Sequence, residues 1–249
     1  MESDSYALVC LAPAGCSANL YQIFKKHAAP RCQVIALDYP GHGRKLKQLL
    51  SLDIQHISQQ LAQEIAALPQ QQIVLFGHSL GAALLLPLVA ALKDQNAVNK
   101  IKLLVLSSRP APQHSQHLTQ KHSLSEQALI AQLHDYAYLP KALFNNPELM
   151  RFCLKLIRHD FALSDALIAS SQDLSTDLPM LVVAGDHDPD LPEPHVLQAW
   201  QQHSQHWLGV EQFTGHHFYF TDPAILTLLL ERIDHHLQRL IAVQEEVAS

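Results

Sequence analysis

The sequence predicts an α/β fold built on a mostly parallel, doubly wound sheet. Three observations carry that reading. Short, nearly continuous apolar runs recur along the chain, as expected of strands covered by helices on both faces. These runs alternate with longer stretches of helical apolar periodicity, which implies right-handed crossovers. Seven of the eight glycines fall where such a run meets a loop. Glycine is wanted where the backbone takes a positive φ or approaches another chain closely. In open α/β sheets, those strand ends are where ligands bind.

Taken in order, residues 6–12, 32–37, 73–76, 101–107 and 179–184 read as buried parallel strands, and 206–213 as the last strand. Residues 53–68 place Ile54, Ile57, Leu61, Ile65 and Leu68 on one helical face, with Asp53 positioned as N-cap. Residues 79–93 and 222–240 also read as helices. Residues 110–176 break the alternation. They carry no strand signal, open with a Pro- and His-rich loop, and hold helical patterns near 123–138 and 147–170. The segment reads as a helical lid inserted after the fourth strand, within a single domain spanning 1–249.

Composition narrows the function. The 249 residues are 48% hydrophobic and 16% charged, enough apolar material for a sizeable core. A net charge of −6 gives no electrostatic reason to expect nucleic acid as a partner. The most apolar run, 82–92, is well short of a membrane span. The N-terminus is acidic where a signal peptide would be basic, so a soluble, cytoplasmic protein is expected. Four cysteines without a CxxC pattern suit reduced thiols there. Seventeen histidines show no HExxH and no zinc-ligand spacing, so no metal is expected. With no coiled-coil signal, the chain is expected to be a monomer.

The chemistry begins at Gly77-His78-Ser79-Leu80-Gly81, a G-x-S-x-G pattern directly after a strand and directly before a helix. That context marks the nucleophile turn of an α/β-hydrolase, where flanking small residues let strand and helix crowd together. Ser79 is the expected nucleophile, and the Leu80 N–H an oxyanion donor. In this fold the partners follow in the order acid, then histidine. The loop after the fifth strand offers Asp186 and Asp188. Asp188 is favoured because G-x-x-D leaves room to turn back toward a histidine. The loop after the last strand offers His216 and His217, and spacing does not choose between them. The loop after the first strand, 11–17, should bring the second oxyanion donor, with Ala14 the best placed. Cys16 is a rival nucleophile with no base assigned to it.

At this point the chain resembles the type II thioesterases of nonribosomal peptide and polyketide synthetases. Residues 14–18 resemble the family's A-G-G-S-A loop, 39–44 its L-P-G-R-G-R turn, and 77–81 its G-H-S-M-G elbow. Residues 146–150 and 156–161 resemble its lid helix, D-P-E-L followed by L-R-A-D-F. Residues 185–189 resemble G-x-x-D-P, which carries the acid onto Asp188. Residues 214–220 resemble P-G-G-H-F-F-L, which carries the base onto His217. Cys16 stands where the family has a second loop glycine, His42 where it has an arginine, and His216 where it has a glycine.

The resemblance implies hydrolysis of acyl groups from the 4′-phosphopantetheine arm of acyl or peptidyl carrier proteins, with no metal or resident cofactor. Carrier proteins are usually acidic, and Arg151, Lys155 and Arg158 share one face of the lid helix, a candidate docking surface. Two rival readings share the same residues: a small-molecule carboxylesterase or lipase, and a non-catalytic hydrolase-fold binding protein.

Overall fold

The computed structural model describes residues 5–136, 146–191 and 193–248. Six parallel strands form one sheet: β1 Tyr6–Leu11, β2 Cys32–Leu37, β3 Ile73–His78, β4 Ile101–Ser107, β5 Thr176–Gly185 and β6 Ser204–Phe213. Their order is β2-β1-β3-β4-β5-β6. Every residue of β1 and β3 is buried, because both faces of the central strands are covered. The chain steps outward from β1 to β2, then returns past β1 to β3. Right-handed crossovers therefore put the first two helices, α1 (Gln22–His27) and α2 (Ile54–Ala66), on opposite faces. α2 packs with α4 (Leu85–Asp94), and α1 packs with the C-terminal helix α8 (Pro223–Ala248).

The expected strands are all present, and so is the Asp53 cap, whose Oδ1 accepts from the His56 N–H at 2.9 Å. Several boundaries differ, two of them for evident physical reasons. The helix expected over 79–93 is two pieces, α3 (Leu80–Ala83) and α4, separated at Leu84. Pro87 lacks an N–H and would clash with the Ala83 carbonyl in a continuous helix. β5 starts at Thr176 with a register shift before Pro179, a residue tolerated in strands at such irregularities. α8 continues beyond 240 to Ala248.

Between β4 and β5, the described residues form short turns and two long helices, α5 (Glu126–Asp135) and α6 (Pro147–Ser170). The helix expected near 123–138 is thus α5, and its last two expected residues, 137 and 138, lie outside the described residues. Asn146 caps α6 by accepting from the Leu149 N–H at 3.0 Å. The first half of α6 buries Met150, Leu154 and Ile157 against Leu129, Leu133 and Tyr136, a cluster of the insertion's own. Its second half buries Leu163 and Leu167 in the main core. The short helix α7 (His195–Gln198) lies between β5 and β6. No helix among the described residues is long and apolar enough to cross a membrane.

The C-terminal end of β1 is tied down by hydroxyls. Tyr21 and Tyr39 donate to the carbonyls of Leu11 and Ala12, each at 2.7 Å. There β3 and α3 press against β1 so closely that a Cβ at Gly81 would lie 2.3 Å from the Leu11 carbonyl oxygen. Backbone cannot yield as a flexible side chain can. Gly81→Ala should therefore destabilise the protein by about 2–4 kcal/mol, read as a lowered urea midpoint at unchanged slope.

Candidate active site

Ser79 sits between β3 and α3 with φ +54° and ψ −108°, a conformation that non-glycine residues rarely adopt. The turn is held from both sides. Its N–H donates to the Ser107 carbonyl at 2.8 Å, and its carbonyl accepts from the N–H groups of Ala82 and Ala83. A Cβ on Gly77 would lie 2.3 Å from the Gly81 carbonyl oxygen, so β3 and α3 can cross this closely only with glycine at 77, while Gly81 admits the end of β1. Packing forces the strained serine outward from the strand end.

The acid and histidine loops are packed backbone on backbone. A Cβ on Gly185 would lie 2.3 Å from the His216 carbonyl oxygen, and the His187 N–H donates to the Gly215 carbonyl at 2.9 Å. Asp186 is exposed and accepts from the Gly215 N–H at 2.9 Å, a role in holding the two loops together. Asp188 is buried, with Oδ2 and Oδ1 at 2.8 and 3.0 Å from Nδ1 of buried His217. His216 is exposed, its Nδ1 on the His187 carbonyl. The geometry thus brings together Asp188 and His217, not Asp186 or His216. Burial opposes charge on His217, but the adjacent Asp188 carboxylate, with Asp190 beyond it, outweighs that penalty and raises its pKa.

Ser79 and His217 line one hollow with Pro13, Ala14, Tyr136 and Phe161. Ser79, Leu80 and Ala14 line an adjoining one beneath Arg109 and Ser164. Both proposed oxyanion residues therefore flank Ser79. Cys16 packs half-buried against the core, and none of the four cysteines forms a disulfide.

Sequence reasoning missed several residues here. Asp190 accepts from Lys121 Nζ at 2.8 Å and Tyr136 OH at 2.7 Å, and its own N–H donates to Asp188 Oδ1 at 3.0 Å. The Tyr136 ring lies over the His217 imidazole at 4.9 Å. Buried Arg109 donates to Ser164 Oγ at 2.9 Å, and burial lowers its pKa to about 10. His78 is buried against His217, with Nδ1 2.9 Å from Ser107 Oγ, and desolvation pushes its pKa down. Only the distance of Lys121, Tyr136 and Arg109 along the chain hid them, whereas Asp190 stands two residues past Asp188. Asp188, Asp190 and His217 offer ligand atoms within 4.8 Å of one another. Yet Asp188 is committed to His217, and the Lys121 ammonium already neutralises Asp190, so the set fits a triad and an ion pair better than a metal.

On α6, Arg151 and Lys155 are exposed, but Arg158 turns inward. Its Nη1 donates to the carbonyls of His122 and Leu124 at 2.8 and 2.6 Å, fastening the helix to the segment before α5.

Comparison with known proteins gives this geometry a family. A model of the thioesterase domain matches residues 6–237. The "probable cadicidin biosynthesis thioesterase" of Streptomyces griseus is 26% identical over 221 residues, 88% of this chain and 60% of that protein, so this chain spans about three-fifths of its length. The structure of ClbQ, from the colibactin NRPS/PKS pathway, shares the fold at a TM-score of 0.83 and 23% identity, over 96% of this chain and 99% of that one. The type II thioesterase BorB, from the borrelidin biosynthetic cluster, is 30% identical with a TM-score of 0.78, over 94% of each chain. With one family model spanning nearly the whole chain and BorB matched almost throughout, this chain belongs to the thioesterase domain family as a type II thioesterase.

Proposed function

We propose that this enzyme removes acyl groups from the 4′-phosphopantetheine arm of acyl or peptidyl carrier proteins in nonribosomal peptide and polyketide biosynthesis. The observation that carries the reading is the buried Asp188–His217 pair opening on the hollow that Ser79 lines. Ser79 Oγ attacks the thioester carbonyl while His217 Nε2 takes its proton. The C–S bond then breaks, and His217 returns the proton to the departing sulfur. Water attacks the acyl-enzyme, losing its proton to His217, which passes it to Ser79 Oγ as the carboxylic acid leaves. Asp188, on Nδ1, fixes the tautomer and stabilises the imidazolium. The N–H groups of Leu80 and Ala14 would hold the oxyanion, the step where a preorganised site contributes most. No metal or resident cofactor takes part.

The insertion from about 110 to 176 serves as the lid of a single domain. Its Leu133, Tyr136 and Phe161 wall the hollow over Ser79, which supports that role. The exposed start of α6 is the docking face for the carrier, with Arg151 and Lys155 beside exposed Leu149 and Phe152. Arg158 is set apart by its structural bonds. We place the enzyme in the cytoplasm as a monomer, a setting that suits its unbridged cysteines.

Mass spectrometry of a panel of acyl-loaded carrier proteins should show acyl loss with wild type and none above background with Ser79→Ala. A strong preference for simple esters would turn the assignment to a carboxylesterase. Because His217 must be neutral to accept a proton and its pKa is raised above 6.5, the acid limb of kcat/KM should lie above that value. Asp188→Asn should move the limb downward and lower the rate by on the order of 10⁴-fold, seen in a pH profile. Reversing Arg151 and Lys155 to Glu should raise KM for acyl-carrier protein about tenfold while sparing small acyl thioesters. Equal loss on both would remove the docking role.

A further inference from the structure

Asp160 lies in the middle of α6, where the helix passes from the insertion's own apolar cluster into the main core, and it is 1% exposed. A carboxylate there must be heavily compensated. Its Oδ2 accepts from the Gly15 N–H at 2.6 Å and lies 2.9 Å from His42 Nε2, while His159 Nδ1 is 3.2 Å from Oδ1. His42 is also buried, and its Nδ1 is 3.0 Å from the Pro40 carbonyl. Both neighbours of the ring are acceptors, so it satisfies both only as the imidazolium. The pKa of His42 is raised accordingly, its burial being outweighed by Asp160.

Gly15 belongs to a turn beside Ser79. The Cys16 N–H donates to the Pro13 carbonyl at 3.1 Å, and Gly15 has φ +69°. This is the pattern of a type II turn, with glycine at its third position. Type I and type II turns differ by rotation of the central peptide, here the one joining Ala14 to Gly15. Rotated, that peptide would turn the Ala14 carbonyl toward the Asp160 carboxylate and set two acceptors against each other in a buried place.

We propose that Asp160 is a positioning residue for the oxyanion loop: its bond to the Gly15 N–H fixes the peptide that follows Ala14, and with it the turn on which the Ala14 N–H is carried. This rests on the assignment of Ala14 as an oxyanion donor. It follows that the loop beside Ser79 is correctly set only while α6 is seated, so the lid helix governs chemistry as well as access. Arg158, two residues earlier, anchors the same stretch of helix to the rest of the insertion.

The test compares three variants on a small acyl thioester that needs no carrier docking. Asp160→Ala and Asp160→Leu remove the acceptor, the latter with the same number and branching of side-chain heavy atoms, whereas Asp160→Asn keeps an oxygen for the Gly15 N–H. The expected result is a fall in kcat of about 10–100-fold for Ala and Leu, below the loss from deleting a donor outright. KM should stay within about threefold, and Asn should restore most of the rate. An Ala or Leu variant that melts at the wild-type temperature and keeps wild-type kcat overturns the proposal, as does Asn as slow as Ala. Should neither Ala nor Leu fold, the Gly15 amide proton decides. It should move upfield from wild type to Asn in a ¹⁵N spectrum of the full chain, and a resonance that does not move overturns the proposal. Ser79→Ala is run alongside: activity surviving there refutes the serine mechanism, whereas its loss with an unaffected Asp160→Ala refutes the positioning role alone.

Discussion

The site depends on three places where backbone meets backbone with no room for a Cβ. At Gly77, Gly81 and Gly185 an added methyl would lie 2.3 Å from a carbonyl oxygen of the neighbouring segment. The first two draw β3, α3 and the end of β1 together. That closeness forces Ser79 to a positive φ and sets it beside the loop carrying Ala14. The third presses the end of β5 onto the 215–216 turn, which brings Asp188 within hydrogen-bond distance of His217. Close packing of this kind has no soft alternative arrangement. It therefore holds the reacting groups within the small tolerances that chemistry requires.

Around this frame three carboxylates are paired. Asp188 faces His217, Asp190 faces Lys121, and Asp160 faces His42. Each pair joins distant parts of the chain, and the last two join the insertion to the body of the protein. A buried ion pair contributes little net stability, because desolvation offsets most of the attraction, but losing one partner strands the other charge. These pairs therefore specify one arrangement of the insertion over the sheet more than they strengthen the fold. Asp190 has a second effect, since its charge adds to that of Asp188 in favouring the protonated His217.

The fold was legible in the sequence because parallel strands buried on both faces announce themselves as apolar runs, as Ile101–Ser107 does. The nucleophile was legible because Gly77 and Gly81 mark a turn that only glycine permits. The acid and the histidine were narrowed by loop position to two pairs of neighbours, and adjacent residues point in different directions. Only backbone geometry separates exposed Asp186 and His216 from buried Asp188 and His217. The cationic face of α6 shows the limit of helical spacing. Arg151, Lys155 and Arg158 share a face, but carbonyls of a segment some 35 residues away claim Arg158. Lys121, Tyr136 and Arg109 could not be placed because no local pattern shows which distant residues the folded insertion brings to Ser79.

The histidine at position 42, where the resembling family has an arginine, becomes intelligible once Asp160 is placed. An arginine there could hold a carboxylate at any pH, being always charged. A histidine holds it as a cation only when protonated, and here its two acceptor neighbours make that form the favoured one. His42 makes this ion pair across a side chain shorter than an arginine's, and so joins α6 to the turn at Gly41–Gly43. The same carboxylate oxygen then serves the Gly15 N–H. One buried acid on the inserted helix links the ends of β1 and β2, and with them the loop that faces Ser79.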